Sequence, residues 1–133
     1  MPDEQTTDWL PPEAVVIRGG KMKRGPMEKR VKKDRRKLGF YGLSCCSLRD
    51  YTYDELDALA RIAQMPQPKL RASTVGRIRD AGEGFDVLPT PSENNPAHAT
   101  LKLPDPPSDR DWEKLEEIFD EPVNNVAALE EGR

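Results

Sequence analysis

Residues 17–47 read IRGGKMKRGPMEKRVKKDRRKLGFYGLSCCS, and this order of residue types indicates a strand, a helix and a second strand. The first strand is predicted over 14–18, because a β-branched apolar run ends there at a double glycine. A proline that suits the first helical turn and apolar residues at spacings near four and seven predict a helix over 26–38, with Gly39 as its C-cap. Aromatic and small apolar residues then predict a strand over 40–46. The stretch therefore indicates an α/β chain.

The predicted helix is strongly basic. Residues 18–37 contain eleven Lys or Arg and two acids, a net charge of +9, so the formal charge of −3 for the whole chain leaves −12 on the other residues. This excess of positive charge is larger than solubility requires, and a cationic helix face attracts phosphate groups or acidic side chains. We expect this helix to bind a nucleic acid, another polyanion or an acidic partner protein; the alternative is a solvated face. The expected contact residues are Lys29, Arg30, Lys32, Lys33, Arg35 and Arg36.

Local capping signals divide the rest of the chain into helices and strands. Thr52 is followed three residues later by a glutamate, which fits a capping box at the start of an amphipathic helix. Ser108 precedes acids that favour the positive end of a helix dipole, and an apolar stripe follows them. Between these two helices the sequence predicts a short helix capped by Ser73 and an antiparallel hairpin of strands over 85–88 and 98–103.

The predicted elements follow the order β-α-β-α-α-β-β-α. This order indicates an α/β (α+β) fold with a small, curved, mixed or antiparallel sheet and about four helices. One domain is predicted over 13–121, with a polar N-terminal arm over 1–12 and a loosely packed C-terminal tail over 122–133. The predicted core residues are Val15, Ile17, Leu43, Cys45, Leu56, Leu59, Val87, Leu101, Trp112, Leu115 and Phe119.

Cysteine usage and the N-terminal sequence bear on the compartment. Cys45 and Cys46 are adjacent in a predicted strand, where they point to opposite faces of a sheet, so a disulfide between them is geometrically poor. Free thiols favour a reducing compartment. The first residues are acidic where a signal peptide is basic, and no apolar run approaches the length that spans a bilayer. We therefore expect a cytoplasmic protein that does not contact a membrane.

Polar residues near the predicted strand ends are candidates for ligand binding. Arg18 follows a buried strand, and the adjacent Gly19 and Gly20 allow a ligand to approach the backbone closely. A guanidinium can hold a phosphate by two parallel hydrogen bonds; the alternative is an ordinary salt bridge at a strand end. Tyr41 offers a hydroxyl group on the neighbouring strand. We expect these residues to line a ligand cleft.

Two further residues are candidates for catalysis. His98 is the only histidine, follows the Pro/Asn-rich segment 89–97, and is the natural general acid or base of an enzyme. The hydroxyl of Ser44 can bond a ligand or act as a nucleophile; satisfied structural groups are the alternative for both residues. Cys45 or Cys46 would need His98 nearby to act as a nucleophile. One histidine and two adjacent cysteines do not suit a closed zinc site, and we expect no metal.

The run IRGG, followed by a polar stretch and then GFYGLSCCS, resembles the front half of ADP-ribosyltransferase-like proteins over about thirty residues. The resemblance implies a split, curved sheet with a cleft for NAD, in which Arg18 contacts the dinucleotide and Ser44 forms the pocket wall. In this chain Ser44-Cys45-Cys46 replaces the Ser-Thr-Ser-like triplet of the family. The later strand HATLKLP contains no glutamate where such enzymes keep their catalytic acid. As a small α/β chain with a basic helix, the protein is also similar in general character to bacterial toxin–antitoxin and phage-conflict proteins.

Three classes of function remain open at this point. An NAD-using transferase or hydrolase requires Arg18 and a carboxylate in one cleft. A nucleic-acid-binding protein or ribonuclease requires an exposed basic helix, with His98 beside it if the nucleic acid is cleaved. A protein-interaction module without enzymatic activity requires neither.

Overall fold

The computed structural model describes residues 10–20 and 22–131. Its strands are β1 (Val15–Gly19), β2 (Gly42–Cys46), β3 (Lys69–Thr74), β4 (Asp86–Pro89), β5 (His98–Lys102) and β6 (Val123–Asn124). Its helices are α1 (Arg24–Leu38), α2 (Leu56–Ala63), α3 (Val75–Asp80), α4 (Asp109–Ile118) and α5 (Val126–Glu131), and a 3-10 turn over Tyr53–Glu55 leads into α2. The described strands form one open sheet in the order β4-β5-β2-β1-β3-β6, and all neighbours are antiparallel. The predicted α/β fold with a small antiparallel sheet is confirmed.

Strand β1 lies inside the sheet and is buried on both faces. Val15 and Ile17 lie in one apolar cluster together with Leu59 of α2. Val16, between them, lies in a second cluster with Val31 of α1. Because side chains alternate along a strand, the two clusters cover opposite faces of the sheet. Helices α1, α3 and α4 therefore cover one face and α2 covers the other, and every predicted core residue is buried.

Helix α1 begins two residues before the predicted start and ends where predicted. Met27 and Val31 are its buried residues, and they lie four positions apart on one side of the helix. Gly39 adopts the left-handed conformation, with a φ of 84°, and its backbone N–H donates to the carbonyl of Arg35 at 2.8 Å. A glycine has no Cβ to strain this conformation, so the predicted C-cap is confirmed. Three basic residues occupy the last turn, where the negative end of the helix dipole favours them.

Strand β3 was not predicted, and the short helix that follows it is not capped by Ser73. Ser73 is fully buried in β3, and the hydroxyl of Thr74 accepts from the backbone N–H of Arg77. Lys69 and Arg71 alternate in this strand with the buried residues Leu70 and Ala72. The guanidinium of Arg71 donates to three carbonyls at the end of α4, so its charge serves a contact with a distant helix. A local hydrophobicity pattern does not contain that contact.

The segment after Pro122 was predicted as a loosely packed tail. In the structure β6 pairs with β3 at the edge of the sheet, and α5 packs against α2. Asn125, between β6 and α5, is fully buried. Its side-chain amide donates to the carbonyls of Met65 and Gln67 at 2.8 and 2.9 Å, and its backbone N–H donates to the carbonyl of Pro68.

The predicted N-terminal arm lies mostly outside the described residues. Leu10, the first described residue, is buried in the cluster that α1, α3 and α4 cover. Its carbonyl accepts from the guanidinium of Arg79 at 2.8 Å. The other predicted helix starts agree with the structure: Glu55 accepts from the backbone of Thr52, and the hydroxyl of Ser108 accepts from the N–H of Asp111. The predicted hairpin is also found, as β4 paired with β5.

Candidate functional site

The site lies where β1 and β2 separate. Ile17 pairs with Cys46, and beyond this pair the side chain of Arg18 bridges the two strands. Nη1 of Arg18 donates to the carbonyl oxygen of Ser44 at 2.5 Å. The guanidinium thus supplies the donor that a continuous strand ladder would supply from its backbone. Arg18 fixes the backbone of β2 at Ser44 and separates the two strands at the same time.

Ser44 and His98 meet across the β2–β5 ladder. Cys46 pairs with His98 and Ser44 pairs with Thr100, so the side chains of Ser44 and His98 are diagonal neighbours on one face. Nε2 of His98 lies 3.4 Å from Oγ of Ser44. The ring is placed at the sheet surface because β5 begins at His98, directly after the loop that joins it to β4.

The other side of the His98 ring is held by Thr90, at the end of β4. Nδ1 of His98 lies 3.0 Å from the carbonyl oxygen of Thr90 and 2.9 Å from its hydroxyl. The Thr90 hydroxyl is in turn 2.9 Å from the hydroxyl of Thr100. A carbonyl oxygen can only accept, so the contact with Thr90 places the proton of the neutral ring on Nδ1. The lone pair of Nε2 then faces the hydroxyl of Ser44.

Ser44 and His98 form the wall between two small surface cavities. One cavity, of about 200 Å³, is also lined by Arg18, Gly19 and Gln67. A Cβ at Gly19 would lie 2.2 Å from the side chain of Gln67, so the glycine leaves room for this amide in its present position. The opposite cavity, of about 230 Å³, is bordered by α1 through Arg30, Asp34 and Lys37. Among the described residues that line the two cavities, Asp34 is the one acid, and it is paired with Arg30 at 3.0 Å.

Burial shapes the electrostatics of this site. It lowers the pKa of Arg18, and the positive charge of Arg30 lowers it further. Burial raises the pKa of Cys45 to about 12 and also raises the pKa of Cys46, although Asn95 donates a hydrogen bond to the latter sulfur. Both cysteines are free and buried, so at neutral pH both are thiols. The thiol is the less nucleophilic form of cysteine, so the raised pKa values disfavour both sulfurs as nucleophiles.

The basic helix divides into ion-paired flanks and an exposed outer stripe. Arg30 pairs with Asp34 and Lys32 with Glu28 within the helix, whereas Arg35 pairs with Asp105 across the fold. For four other exposed cations of the helix, no ion pair is found within residues 10–20 and 22–131. These four cations, which we call the outer stripe, are Lys29, Lys33, Arg36 and Lys37.

The structure brings together some of the predicted site residues and separates others. Arg18, Gly19, Ser44 and His98 line one cavity. Gly20 and Tyr41 do not line either cavity: the N–H of Gly20 donates to the carbonyl of Lys69, and the ring of Tyr41 lies under the guanidinium of Arg35, 5.3 Å from its carbon. The expectation that Tyr41 shares the cleft is corrected, because it precedes β2 at the end remote from Arg18. The roles of the converging residues stay predictions.

Two residues of the site were not predicted. Thr90 contacts His98 because the register of the β4–β5 hairpin places the two residues opposite each other. It was missed because the sequence alone does not give that register. Lys37 belongs to the basic run, and its helical position beside Ser44 follows from where α1 packs. The basic run is a sequence signal that could have identified Lys37. The sequence contains no comparable signal for Thr90.

The described part of the chain contains no cluster of three or more His, Cys, Asp or Glu side chains suited to a metal ion. Among the helices of residues 10–20 and 22–131, none combines the length and apolar character needed to cross a membrane. Comparison of the sequence and the structure with models of protein families, curated proteins and solved structures found no match.

Proposed function

We propose that this protein binds nucleic acid through the outer stripe of α1. The observation that carries the proposal is that, within the described structure, no ion pair is found for Lys29, Lys33, Arg36 and Lys37. The residues outside 18–37 carry a net charge of −12. Exposed cations without an acidic partner are available to phosphate groups, and neutralising phosphates releases counterions from the nucleic acid. Cytoplasmic location, which the two free thiols favour, would give the protein access to nucleic acid.

The outer stripe points away from the core. At about 100° per residue, positions 29, 33 and 36 lie within about 60° of one another around a helix, whereas Met27 and Val31 lie on the opposite side. Those two residues are buried, so the stripe faces solvent. Its length from Lys29 to Lys37 is about 12 Å at 1.5 Å per residue. Phosphates along one strand of a duplex follow at 3.4 Å, so the stripe spans about three to four of them.

The acidic surface of the protein itself occupies only the flanks of the helix. Arg24 contacts Asp109 and Arg35 contacts Asp105, and both acids lie in or just before α4. These pairs orient α1 on the fold and leave the outer stripe in solvent. Exposed pairs of this kind contribute little free energy and can exchange for phosphate contacts.

The test is a salt series of nucleic-acid binding. Fluorescence anisotropy would measure the affinity of the purified protein for labelled single-stranded RNA, single-stranded DNA and duplex DNA. We expect a linear decrease of log K with log salt. Replacement of Lys33 and Arg36 by Gln should flatten the slope by about 1.8 on duplex DNA or about 1.4 on single strands, because each lost phosphate contact removes about 0.9 or 0.7.

The matched control removes two cations elsewhere. Arg61 is an exposed residue of α2, on the face of the sheet opposite α1, and Arg49 is exposed in the segment after β2. The variant Arg49→Gln/Arg61→Gln has the same net charge as the α1 variant and should keep the parental slope, provided its thermal melting is unchanged. Equal slopes for both variants would mean that net charge, and not the outer stripe, governs association. No salt-dependent binding by the folded parent protein would refute the proposal.

A second candidate is the toxin-like, NAD-using transferase that the sequence resemblance implies. The observation in its favour is the contact of Arg18 with Ser44 at the point where β1 and β2 separate, beside a cavity of about 200 Å³. The observation against it is that no carboxylate is among the described residues that line this cavity. NAD consumption by the purified protein, and its loss on replacement of Arg18 by Lys, would test it. If neither NAD consumption nor nucleic-acid binding is found, a protein-interaction module is the remaining class.

A further inference from the structure

The hydroxyl of Ser44, the ring of His98 and the carbonyl of Thr90 form a connected chain of polar contacts. Nδ1 of His98 is held at 3.0 Å from the Thr90 carbonyl, which leaves Nε2 as the acceptor that faces Ser44 at 3.4 Å. A nucleophile beside a base whose other nitrogen is held by a third group is the arrangement that activates a hydroxyl. The distance between Oγ and Nε2 is within the range found before a substrate tightens such a contact.

Ser44 is also placed where a reaction partner can reach it. Its side chain is exposed, although its neighbours Leu43 and Cys45 are buried. The strand fixes it from both sides, since Arg18 holds its carbonyl and Thr100 of β5 is its ladder partner. An exposed hydroxyl on a rigid strand, next to the only histidine of the chain, is positioned with the precision that nucleophilic chemistry needs.

We propose that Ser44 is the nucleophile and His98 the general base of a phosphodiester-transfer site, which rests on the proposed nucleic-acid binding for its natural substrate. The charges around the pair decide the class of substrate. Lys37 and the ion pair of Arg30 with Asp34 border the cavity on one side, a net charge of +1, and Arg18 borders the cavity on the other. Cationic groups on both sides favour a substrate that carries negative charge before and during reaction, which a phosphodiester does and a neutral ester or amide does not.

The outer stripe leads to this site. Lys37 belongs to the stripe and also borders the cavity that contains Ser44 and His98. A nucleic-acid strand bound along the outer stripe therefore reaches the cavity at the C-terminal end of α1. The cavities of about 230 and 200 Å³ on the two sides of the Ser44–His98 wall then receive the groups on either side of one phosphate.

The reaction balances with water as the only co-reactant. Oγ of Ser44 attacks phosphorus as its proton passes to Nε2 of His98, and the bond from phosphorus to the leaving oxygen breaks. The protonated His98 gives that proton to the leaving alkoxide, which departs as an alcohol. Water then loses a proton to Nε2, its oxygen attacks phosphorus, and Ser44 leaves with the proton from His98. The products are one phosphomonoester and one alcohol.

The test uses two substrates, bis(p-nitrophenyl) phosphate and a labelled single-stranded oligonucleotide. The small diester does not need Lys29, Lys33 and Arg36, the stripe residues outside the cavity, so its hydrolysis reports on the Ser44–His98 site even if nucleic-acid binding fails. We expect p-nitrophenolate release by the parent protein, loss of activity to background in Ser44→Ala, and a fall of about 10²–10⁴-fold in His98→Gln. Acid quenching followed by mass spectrometry should find the phosphoryl adduct on Ser44.

The control variants separate this inference from the binding proposal. Ser92→Ala removes an exposed hydroxyl from the loop between β4 and β5 and should keep both activities. Lys33→Gln/Arg36→Gln should raise KM for the oligonucleotide, because both residues belong to the outer stripe. Failure of the folded parent protein to hydrolyse either substrate would overturn the inference and leave measured binding intact. Hydrolysis that persists in Ser44→Ala would overturn the nucleophile assignment.

Discussion

Replacement of Asn125 by Ala should destabilise the fold far more than its position near the C-terminus suggests. The side-chain amide of Asn125 donates to the carbonyls of Met65 and Gln67, and its oxygen accepts from the N–H of Ala128. Each hydrogen bond contributes about 1 kcal/mol, and a buried acceptor left without a donor costs about 1–3 kcal/mol. The two carbonyls are partly buried, so we expect the free energy of unfolding to fall by about 2–4 kcal/mol.

The neighbouring residue is the matched control. Asn124 is exposed, and its side-chain oxygen accepts from the ammonium group of Lys69 at the surface. Asn124→Ala makes the same chemical change and should cost no more than about 0.5 kcal/mol. Urea unfolding followed by circular dichroism would give both values. If the two variants lose equal stability, the amide of Asn125 does not hold the segment after α2, and the reasoning is refuted.

Two further predictions concern titratable groups. Because Cys45 and Cys46 are buried and their pKa values are raised, both thiols should react with a disulfide reagent at neutral pH at least about 10²-fold more slowly in the native protein than after unfolding; rapid native-state labelling would contradict their placement. Burial and the hydrogen bond to Asp120 raise the pKa of Tyr53 to about 12, so the stability that this phenol contributes is complete below pH 10 and is lost as the pH rises toward 12. Because the ring is partly exposed, we expect the loss of unfolding free energy between pH 9 and about 12 to be about 1 kcal/mol smaller in Tyr53→Phe than in the parent protein. Urea unfolding of both proteins over this pH range would measure it. Equal losses would show that the contact with Asp120 does not favour the phenol.

Local signals in the sequence predicted most helix limits, and every residue predicted for the core is buried. Gly39, Thr52 and Ser108 each act on backbone groups within four residues, so their effect is visible without knowledge of the fold. Strand β3 was missed because its alternation of polar and apolar residues is short and Ser73, within it, was interpreted as a helix cap. The partners of Lys69 and Arg71 lie far along the chain. A residue whose environment is built by distant segments leaves no local pattern.

The candidate site shows the same distinction between features set by local sequence and features set by distant segments. The basic run was visible as composition, and Glu28 and Asp34 lie four residues from their partners in the same helix, but the pairing of Arg35 depends on where Asp105 lies. The convergence of Ser44 and His98 was expected, yet the contact itself depends on the pairing of β2 with β5, two strands separated by about fifty residues of sequence. The proton position on His98 depends on Thr90 and on hairpin register, which residue types do not encode.

The junction between β1 and β2 divides the sheet into two halves with a consequence for how the chain folds. One half contains β4, β5 and β2, and the other contains β1, β3 and β6. Helices α1, α2, α3 and α4 each connect a strand of one half to a strand of the other, so the chain crosses the junction four times. Neither half is a continuous piece of sequence: the strands of one half lie within residues 42–102, and those of the other half span residues 15–124. A cut at α2 or α3 therefore takes a strand from both halves, and a cut at α1 or α4 takes one from the half that contains β1, β3 and β6. We expect folding to be a single cooperative event dominated by long-range contacts.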